Sequence, residues 1–349
     1  MLSINFHIAK GFNLYSKNNT KEEFLQDIKK NGKIENWRIR KMKTLILSES
    51  FKRLGKVKKS ERIKYCGTFL TFLKNIETGK KKLETANFCR ERLCSMCQWR
   101  KSIKVFYELS KVMDILEKEN PDFVPIFLTL TLKNCEIEKL AETLDTIFRG
   151  WRLLFQRRKF ERIIKGWFRS LEVTYNSTEN TFHPHIHAIL IVEKKYFKSD
   201  DFIKTEEWVQ VWKDCLKIDY DPICDIRKVQ KNKGKYKAVA EVAKYTLKDS
   251  DFLIKENKDL TDRLVDVLSS SLKGRRLYAF GGILKEIAKR LGITKIDNLD
   301  NTEISSEDKI REDVDKYIRE VYRWSFNLRD YTKVKDPRLQ EKIVSIISK

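Results

Sequence analysis

Three of the four histidines in this 349-residue chain fall in one pentapeptide, His183-Pro-His-Ile-His187, within an apolar run that continues to Val192. In an extended strand alternate side chains share a face, so His185 and His187 project toward one point. Two imidazoles held in this way can grip a divalent metal, for which imidazole is a common ligand. The other reading is a mildly polar strand edge, because buried imidazoles with neither metal nor partner must stay neutral at a desolvation cost.

Composition narrows what such a metal would serve. The chain carries 73 Lys+Arg against 50 Asp+Glu, a formal net charge of +23. A charge this large points to a polyanionic partner through release of counterions from phosphates. A membrane surface, or plain solvation of lysines, are the competing readings. No run of eighteen apolar residues occurs and Met1–Asn19 lacks the apolar core of a signal peptide, so a soluble, cytoplasmic protein without a membrane partner is expected. The length allows two or three domains. Basic residues cluster: Lys52 to Lys64 holds seven with one acid, and Arg227 to Lys237 holds six with none, whereas Asp297 to Asp315 is dominated by acids. Trp151, Phe155, Phe160, Trp167 and Phe168 interleave with Arg149, Arg152, Arg157, Arg158 and Arg169. Such rings can stack on unpaired bases, but from Trp151 to Phe160 they read as the buried stripe of an amphipathic helix.

Four of the seven cysteines are Cys66, Cys89, Cys94 and Cys97, the last three in a C-x4-C-x2-C pattern. Closely spaced thiolates converge on one tetrahedral ion, and four sulfurs satisfy structural Zn²⁺. Disulfides are not expected in a reducing compartment, which leaves free buried thiols as the alternative. Cys135, Cys215 and Cys224 are scattered and read as structural.

Helical character from Lys21 to Leu54 precedes the cysteine region, and a helix follows from Lys101 to Leu116. Then come a strand over Ile126–Leu132, a helix over Glu138–Phe160, a strand over Phe168–Tyr175 and the histidine strand. A Trp-containing helix near Glu206–Leu216, a short strand near Ile226 and a helix over Lys237–Lys248 complete the pattern. This order predicts an α+β fold, an antiparallel sheet backed by helices. Leu128, Leu130, Leu132, Leu171 and Val173 face the core, leaving Thr129, Thr131, Ser170, Glu172 and Thr174 on the other side. Pairing Asn176 with His183 sets Glu172 opposite His187. A carboxylate beside two imidazoles suits Mg²⁺ or Mn²⁺ when phosphate oxygens and waters complete the shell; a solvated strand residue is the equal alternative for Glu172. On the last helix Val239, Val242, Ala243 and Thr246 form the packed stripe, while Glu241, Tyr245 and Lys248 share the opposite face, with Glu241 and Tyr245 one turn apart. A tyrosine there is ordinarily an amphipathic surface residue. Beside a metal-bound phosphate it can be a nucleophile.

The set Phe127-Leu-Thr-Leu-Thr-Leu132, His183-Pro-His-Ile-His-Ala188 and Glu241-Val-Ala-Lys-Tyr245 resembles the three motifs of rolling-circle plasmid replication initiators of Gram-positive bacteria, in the His-hydrophobic-His (HUH) endonuclease superfamily. Further similarity in Cys89-Arg-Glu-Arg-Leu-Cys-Ser-Met-Cys-Gln-Trp-Arg100 and Gly274-Arg-Arg-Leu-Tyr-Ala-Phe-Gly-Gly282 extends it over roughly Cys66 to Lys285. The resemblance implies a ferredoxin- or RRM-like endonuclease domain over residues 119–252. A helical N-terminal region with the four-cysteine zinc site, residues 1–118, would precede it, and a helical C-terminal region with the acidic segment, residues 253–349, would follow. It further implies that His185 and His187 hold the divalent metal, to which the register above adds Glu172, and that Tyr245 attacks a phosphodiester of single-stranded or extruded DNA at an origin bound as duplex and single strand. The product is a 5′-phosphotyrosyl enzyme and a 3′-OH primer; Glu241 handles water for the terminating cleavage. Lys231, Lys233, Lys235, Lys244 and Lys248 are candidate phosphate contacts. A host helicase and DNA polymerase are the implied partners, in a bacterial cytoplasm, with a homodimer as one oligomeric state. Gly281-Gly282 reads as a turn into a helix or a close backbone approach. A transposase or relaxase of the same chemistry, and a non-enzymatic zinc-stabilised DNA-binding regulator, are the alternative functions.

Overall fold

The computed structural model describes residues 22–28, 32, 34–229, 233–244, 246–254, 256–293 and 316–347. In chain order its elements are α1 (Trp37–Arg53), α2 (Val57–Lys64), β1 (Phe69–Asn75), β2 (Lys81–Ala86), α3 (Ser95–Glu119), β3 (Phe123–Thr131), β4 (Cys135–Glu136), α4 (Leu140–Phe155), α5 (Arg158–Ile163), β5 (Gly166–Asn176), β6 (Thr181–Glu193), α6 (Thr205–Leu216), β7 (Cys224–Lys228), α7 (Lys233–Val242), α8 (Lys258–Ser271), β8 (Tyr278–Gly281), α9 (Gly282–Arg290), β9 (Tyr317–Ser325), β10 (Asp330–Lys333) and α10 (Pro337–Ile347). The chain divides into two units, Met1–Arg100 with Asp300–Lys349, and Lys101–Leu299. The expected α+β class with antiparallel sheets is what forms.

In the second unit the sheet runs β7-β3-β6-β5-β8, with the short β4 also on β6. The histidine strand is central because it is apolar on both sides: Ile186, Ala188 and Leu190 on one face, and Ile189 and Ile191 beyond the histidines on the other, are all at 0% exposure. Fully burying each such side chain contributes about 1.5–3 kcal/mol relative to leaving it exposed. Helix α4 presents Leu140, Leu144, Ile147, Trp151 and Leu154 as a buried stripe, so Trp151 is core, as its spacing predicts. The single helix expected to reach Phe160 breaks at Gln156–Arg157, and Phe160 is buried from the separate helix α5 instead.

Register departs from expectation by two residues. Asn176 pairs with Thr181, not His183, and so Glu172 stands opposite His185 while Ser170 stands opposite His187. The cause is a tighter hairpin. The Asn176 carboxamide oxygen accepts from the amides of Thr178 and Glu179, and Asn180 takes a left-handed φ of 56°, closing the turn at once. An even slip preserves the face, so Glu172 still joins the histidines.

The glycine pair serves both readings offered for it. Gly281 caps α9, and a Cβ there would sit 2.1 Å from the Trp167 ring; Gly282, at φ +53°, would collide with the Lys165 carbonyl at 2.3 Å.

In the first unit the sheet order is β10-β9-β1-β2. The C-terminal region is helical in α8, α9 and α10 but also supplies β8, β9 and β10, which the pattern reading does not anticipate. β9 pairs along the whole of β1, a partnership between residues hundreds of positions apart that periodicity cannot reveal. Hairpin β1–β2 is likewise concealed within the lysine-rich cysteine region. The acidic segment from Asp297 to Asp315 lies outside the described residues. Among the described residues no helix is long and apolar enough to cross a membrane.

Candidate metal centres

The four cysteines predicted to act together do converge. Cys66 follows α2, Cys89 follows β2, Cys94 closes the loop before α3, and Cys97 lies in the first turn of α3. Sulfur separations are 3.6 Å for Cys66–Cys97, 3.6 Å for Cys94–Cys66 and 3.7 Å for Cys89–Cys97. A tetrahedron with metal–sulfur bonds of ~2.3 Å has edges of about 3.8 Å, so the set fits zinc. The amides of Cys89 and Glu91 donate to Cys66 Sγ and Cys89 Sγ at 3.3 and 3.5 Å, and Thr44 Oγ1 lies 3.5 Å from Cys94 Sγ. Glu91, inside the Cys89–Cys94 loop, is held at 3.1 Å by both Lys59 and Arg62.

Lys41 is wholly buried beside the sulfurs, a neighbour that residue spacing does not reveal. Its ammonium donates to the carbonyls of Lys64 and Cys66 at 2.7 and 2.6 Å. Burial draws it down to about 8, opposed by the negative charge of the four cysteines. Burial also pushes the Cys89 and Cys97 thiols well up. Cys94 is equally buried, yet hydrogen bonds from Cys66, Cys89, Cys97 and Thr44 hold it well below the ordinary thiol range. Four thiolates would carry more negative charge than one lysine balances, and a divalent ion held by them would offset most of the remainder.

The second cluster sits on the sheet. Glu172 of β5 and His185 and His187 of β6 bring one ligand atom each to within 4.8 Å of one another. His187 Nε2 lies 3.0 Å and His185 Nε2 3.4 Å from the same Glu172 oxygen, Oε2, and the three side chains retain only 10–12% exposure. Glu172 is a buried carboxylate, not a solvated strand residue. Burial raises its pKa, but the two imidazoles overcome this and hold it well below the carboxylate range. Each histidine is also fixed at its other nitrogen. His185 Nδ1 meets the His183 carbonyl at 3.2 Å, and His187 Nδ1 meets Thr129 Oγ1 at 3.1 Å. His183 shares the face, its ring 5.1 Å from that of His185; burial first, then His185, lowers its pKa. Two nitrogens and one oxygen suit a borderline or hard divalent ion with open positions.

The helix expected over Lys237–Lys248 ends at Val242, so Glu241 and Lys248 do not share one helical face. Val239, Val242, Ala243 and Thr246 are buried nonetheless; beyond Val242 they are held by tertiary contacts rather than by helix. Tyr245 lies outside the described residues. On either side of it, the Lys244 carbonyl accepts from Tyr278 Oη at 3.0 Å and the Thr246 carbonyl accepts from the Val173 amide at 2.8 Å. Val173 is the neighbour of Glu172. Asp251 follows on this segment, raised by burial and by the nearby charge of Glu172 while the Tyr175 amide donates to it.

Glu241 does not join the Glu172–His185–His187 set; its carboxylate is bound to Lys244 Nζ at 2.5 Å. Lys248 Nζ lies 3.9 Å from Glu172 Oε1. Lys235 is engaged with Asp114 and Glu117 at 2.7 and 2.6 Å, so its charge is compensated within the protein. Lys231 and the Lys233 side chain lie outside the described residues.

A family model described as "Replication protein" matches residues 80–332. The chain is 37% identical over 314 residues to "Protein rep" of Streptococcus pneumoniae, covering 89% of this chain and 95% of that protein. It is 38% identical over 324 residues to "Protein rep" of Bacillus amyloliquefaciens, covering 84% and 93%. For "Protein rep" of Lentilactobacillus hilgardii the figures are 35% over 319 residues, 89% and 98%. No solved structure matches. The matched span takes in three of the four clustered cysteines, both clustered histidines and Glu172, and the chain belongs to the Rep family of replication proteins, the plasmid replication initiators that its motifs resemble.

Proposed function

We propose that this protein initiates rolling-circle replication of a plasmid by nicking one strand at the double-strand origin and transferring it through a phosphotyrosine. The observation that carries the reading is the convergence of Glu172, His185 and His187 on one face of the sheet in a Rep-family chain. Mg²⁺ or Mn²⁺ bound there supplies positive charge to the phosphoryl oxygens of the scissile linkage. Tyr245 loses its phenolic proton and bonds to phosphorus as the bond to the 3′ oxygen breaks; that oxygen takes up a proton and becomes the 3′-OH primer. The anchoring of Lys244 and Thr246 beside Tyr278 and Val173 supports this role, because it ties both neighbours of position 245 to the strand that carries Glu172 and to its sheet partner. Lys248 and Lys244 contact phosphates flanking the cut. Glu241, once released from Lys244, deprotonates water for the terminating cleavage. Zn²⁺ at Cys66, Cys89, Cys94 and Cys97 is structural, since four thiolates leave no open position. Residues 119–252 act as the endonuclease domain, and a host helicase and polymerase act in the bacterial cytoplasm on the primer so made.

The test is incubation with a labelled single-stranded origin oligonucleotide and Mg²⁺ or Mn²⁺. Nicking should require the metal and leave a covalent adduct on denaturing gels. Tyr245→Phe should abolish the adduct while DNA affinity persists, and Glu241→Ala should form the adduct but release it poorly. Metal-independent nicking, or an adduct from Tyr245→Phe, would contradict the reading.

A further inference from the structure

The motif Phe127-Leu-Thr-Leu-Thr-Leu132 has no role in the chemistry described so far, yet it lies against the metal-facing histidines. Thr129 of β3 is the cross-strand partner of His187, and Thr131 that of His185. Their hydroxyls do different things. Thr131 Oγ1 donates to the Ile223 carbonyl at 3.1 Å, tying β3 to the start of β7. Thr129 Oγ1 reaches the His187 ring itself, 3.1 Å from Nδ1. Phe127, two residues earlier on the same face, lies with its ring centroid 5.7 Å from that of His187 at an interplanar angle of 33°. His187 is therefore gripped at a nitrogen and along its ring face by one strand, while Glu172 meets Nε2 at 3.0 Å on the other side.

We infer that Thr129 is the positioning residue of the metal centre: its hydroxyl accepts from His187 Nδ1 and so presents the Nε2 lone pair to the ion. A neutral imidazole can coordinate through Nε2 only if Nδ1 carries the proton, and a hydrogen-bond acceptor at Nδ1 selects that tautomer and fixes the ring. For His185 the acceptor is the backbone carbonyl of His183 at 3.2 Å, which no side-chain substitution removes. For His187 it is a hydroxyl, whose oxygen accepts from Nδ1–H while Nε2 is left to face the ion. The two ligands thus reach the same orientation by different means, and only one of them depends on a replaceable side chain. The motif acquires a division of labour from this: leucines for the core, Thr131 for the sheet, Thr129 and Phe127 for the ligand.

The inference rests on the metal reading of Glu172, His185 and His187, and the test separates the two. Free Mn²⁺ is measured by electron paramagnetic resonance in titrations of the full-length, zinc-loaded wild type, Thr129→Val, Thr129→Ser, Thr131→Val and His187→Ala. Thr129→Val should bind Mn²⁺ about tenfold or more weakly, Thr129→Ser should return to near wild type, and Thr131→Val should be unchanged. If Thr129→Val proves unstable, long-range proton–nitrogen correlation on the Mg²⁺-bound wild type gives the same answer, with His187 protonated at Nδ1. Equal affinity in wild type and Thr129→Val, with His187→Ala silent, or a His187 protonated at Nε2 with metal bound, overturns the role of Thr129 alone. Mn²⁺ binding that survives His187→Ala overturns the metal reading and this inference together.

Discussion

The two clusters of metal-ligand side chains are built on opposite plans. The cysteine set supplies four buried donors, each with its sulfur 3.6–3.7 Å from a neighbour. The histidine set supplies three donors from two adjacent strands, with 10–12% of each side chain still exposed. A closed tetrahedral shell can hold a fold together but cannot admit a substrate, whereas an incomplete shell at the surface of a sheet can take a phosphate oxygen. What surrounds each set agrees. Around the sulfurs lie amide donors and a buried ammonium, groups that stabilise negative charge. Around the histidines lie Thr129, Lys248 and the segment on either side of position 245, groups that orient a ligand or meet an anion.

The largest effect that can break this comparison is loss of the first site. Structural zinc contributes on the order of 10 kcal/mol or more to folding in small metal-dependent domains. Stripping zinc with a strong chelator, or Cys94→Ser, should therefore remove the unfolding transition of the first unit, while His187→Ala should lower the melting temperature far less, by the loss of one partner of buried Glu172, and abolish nicking. Thermal unfolding followed by circular dichroism checks both halves. A His187→Ala protein that melts like the zinc-stripped one would erase the distinction between the sites.

A smaller effect is expected at Lys41. Replacing it with Met leaves the carbonyls of Lys64 and Cys66 without their donor, each at a cost of ~1–3 kcal/mol, and removes a buried cation beside the four sulfurs. The expected result is a destabilised protein that gives up zinc faster to a chromogenic chelator. Unaltered release kinetics would mean that the backbone amides alone balance the sulfurs.

The smallest expected effect is a pH dependence in the same unit. Glu320 of β9 is bound by Lys81 and Lys333, both at 3.0 Å, and by Tyr322 Oη at 2.9 Å. Although burial opposes it, these donors hold its pKa down to about 2 from the ordinary 4.5. A depressed carboxylate contributes stability that is complete above the unfolded value and is lost as the pH falls through the folded one. Glu320→Gln should therefore be less stable than wild type at pH 7, by about 1 kcal/mol after allowance for solvent screening. The gap should narrow as the pH drops below 4.5 toward 2. A gap independent of pH would assign the loss to packing rather than charge.

How much of this was legible in the sequence follows from the range of the interactions. Cysteine spacing and histidine alternation are local patterns, and both clusters formed from the residues those patterns picked out. Even the two-residue error in the β5–β6 register left Glu172 beside the histidines, because an even slip keeps every side chain on its face. The helix over Lys237–Lys248 was misjudged because its buried positions Val239, Val242, Ala243 and Thr246 keep helical spacing after the helix has ended at Val242. Tertiary anchors at Lys244 and Thr246 take over there, and periodicity does not register them. The place of Lys41 beside the cysteines and the contact of Thr129 with His187, beyond the shared face that alternation gives it, escape periodicity for a related reason. Each residue is ordinary in its own element, and its role exists only through a contact with another element: with Cys66 across the fold for Lys41, with His187 across the sheet for Thr129.

The most direct test of the two-site account is to count the metals separately. Wild type, Cys94→Ser and His187→Ala, purified without chelators and equilibrated with Mn²⁺, are desalted and analysed by plasma mass spectrometry. The account predicts one zinc and one manganese in wild type, zinc alone in His187→Ala, and loss of zinc in Cys94→Ser. Loss of zinc from His187→Ala, or retention of its manganese, would contradict it.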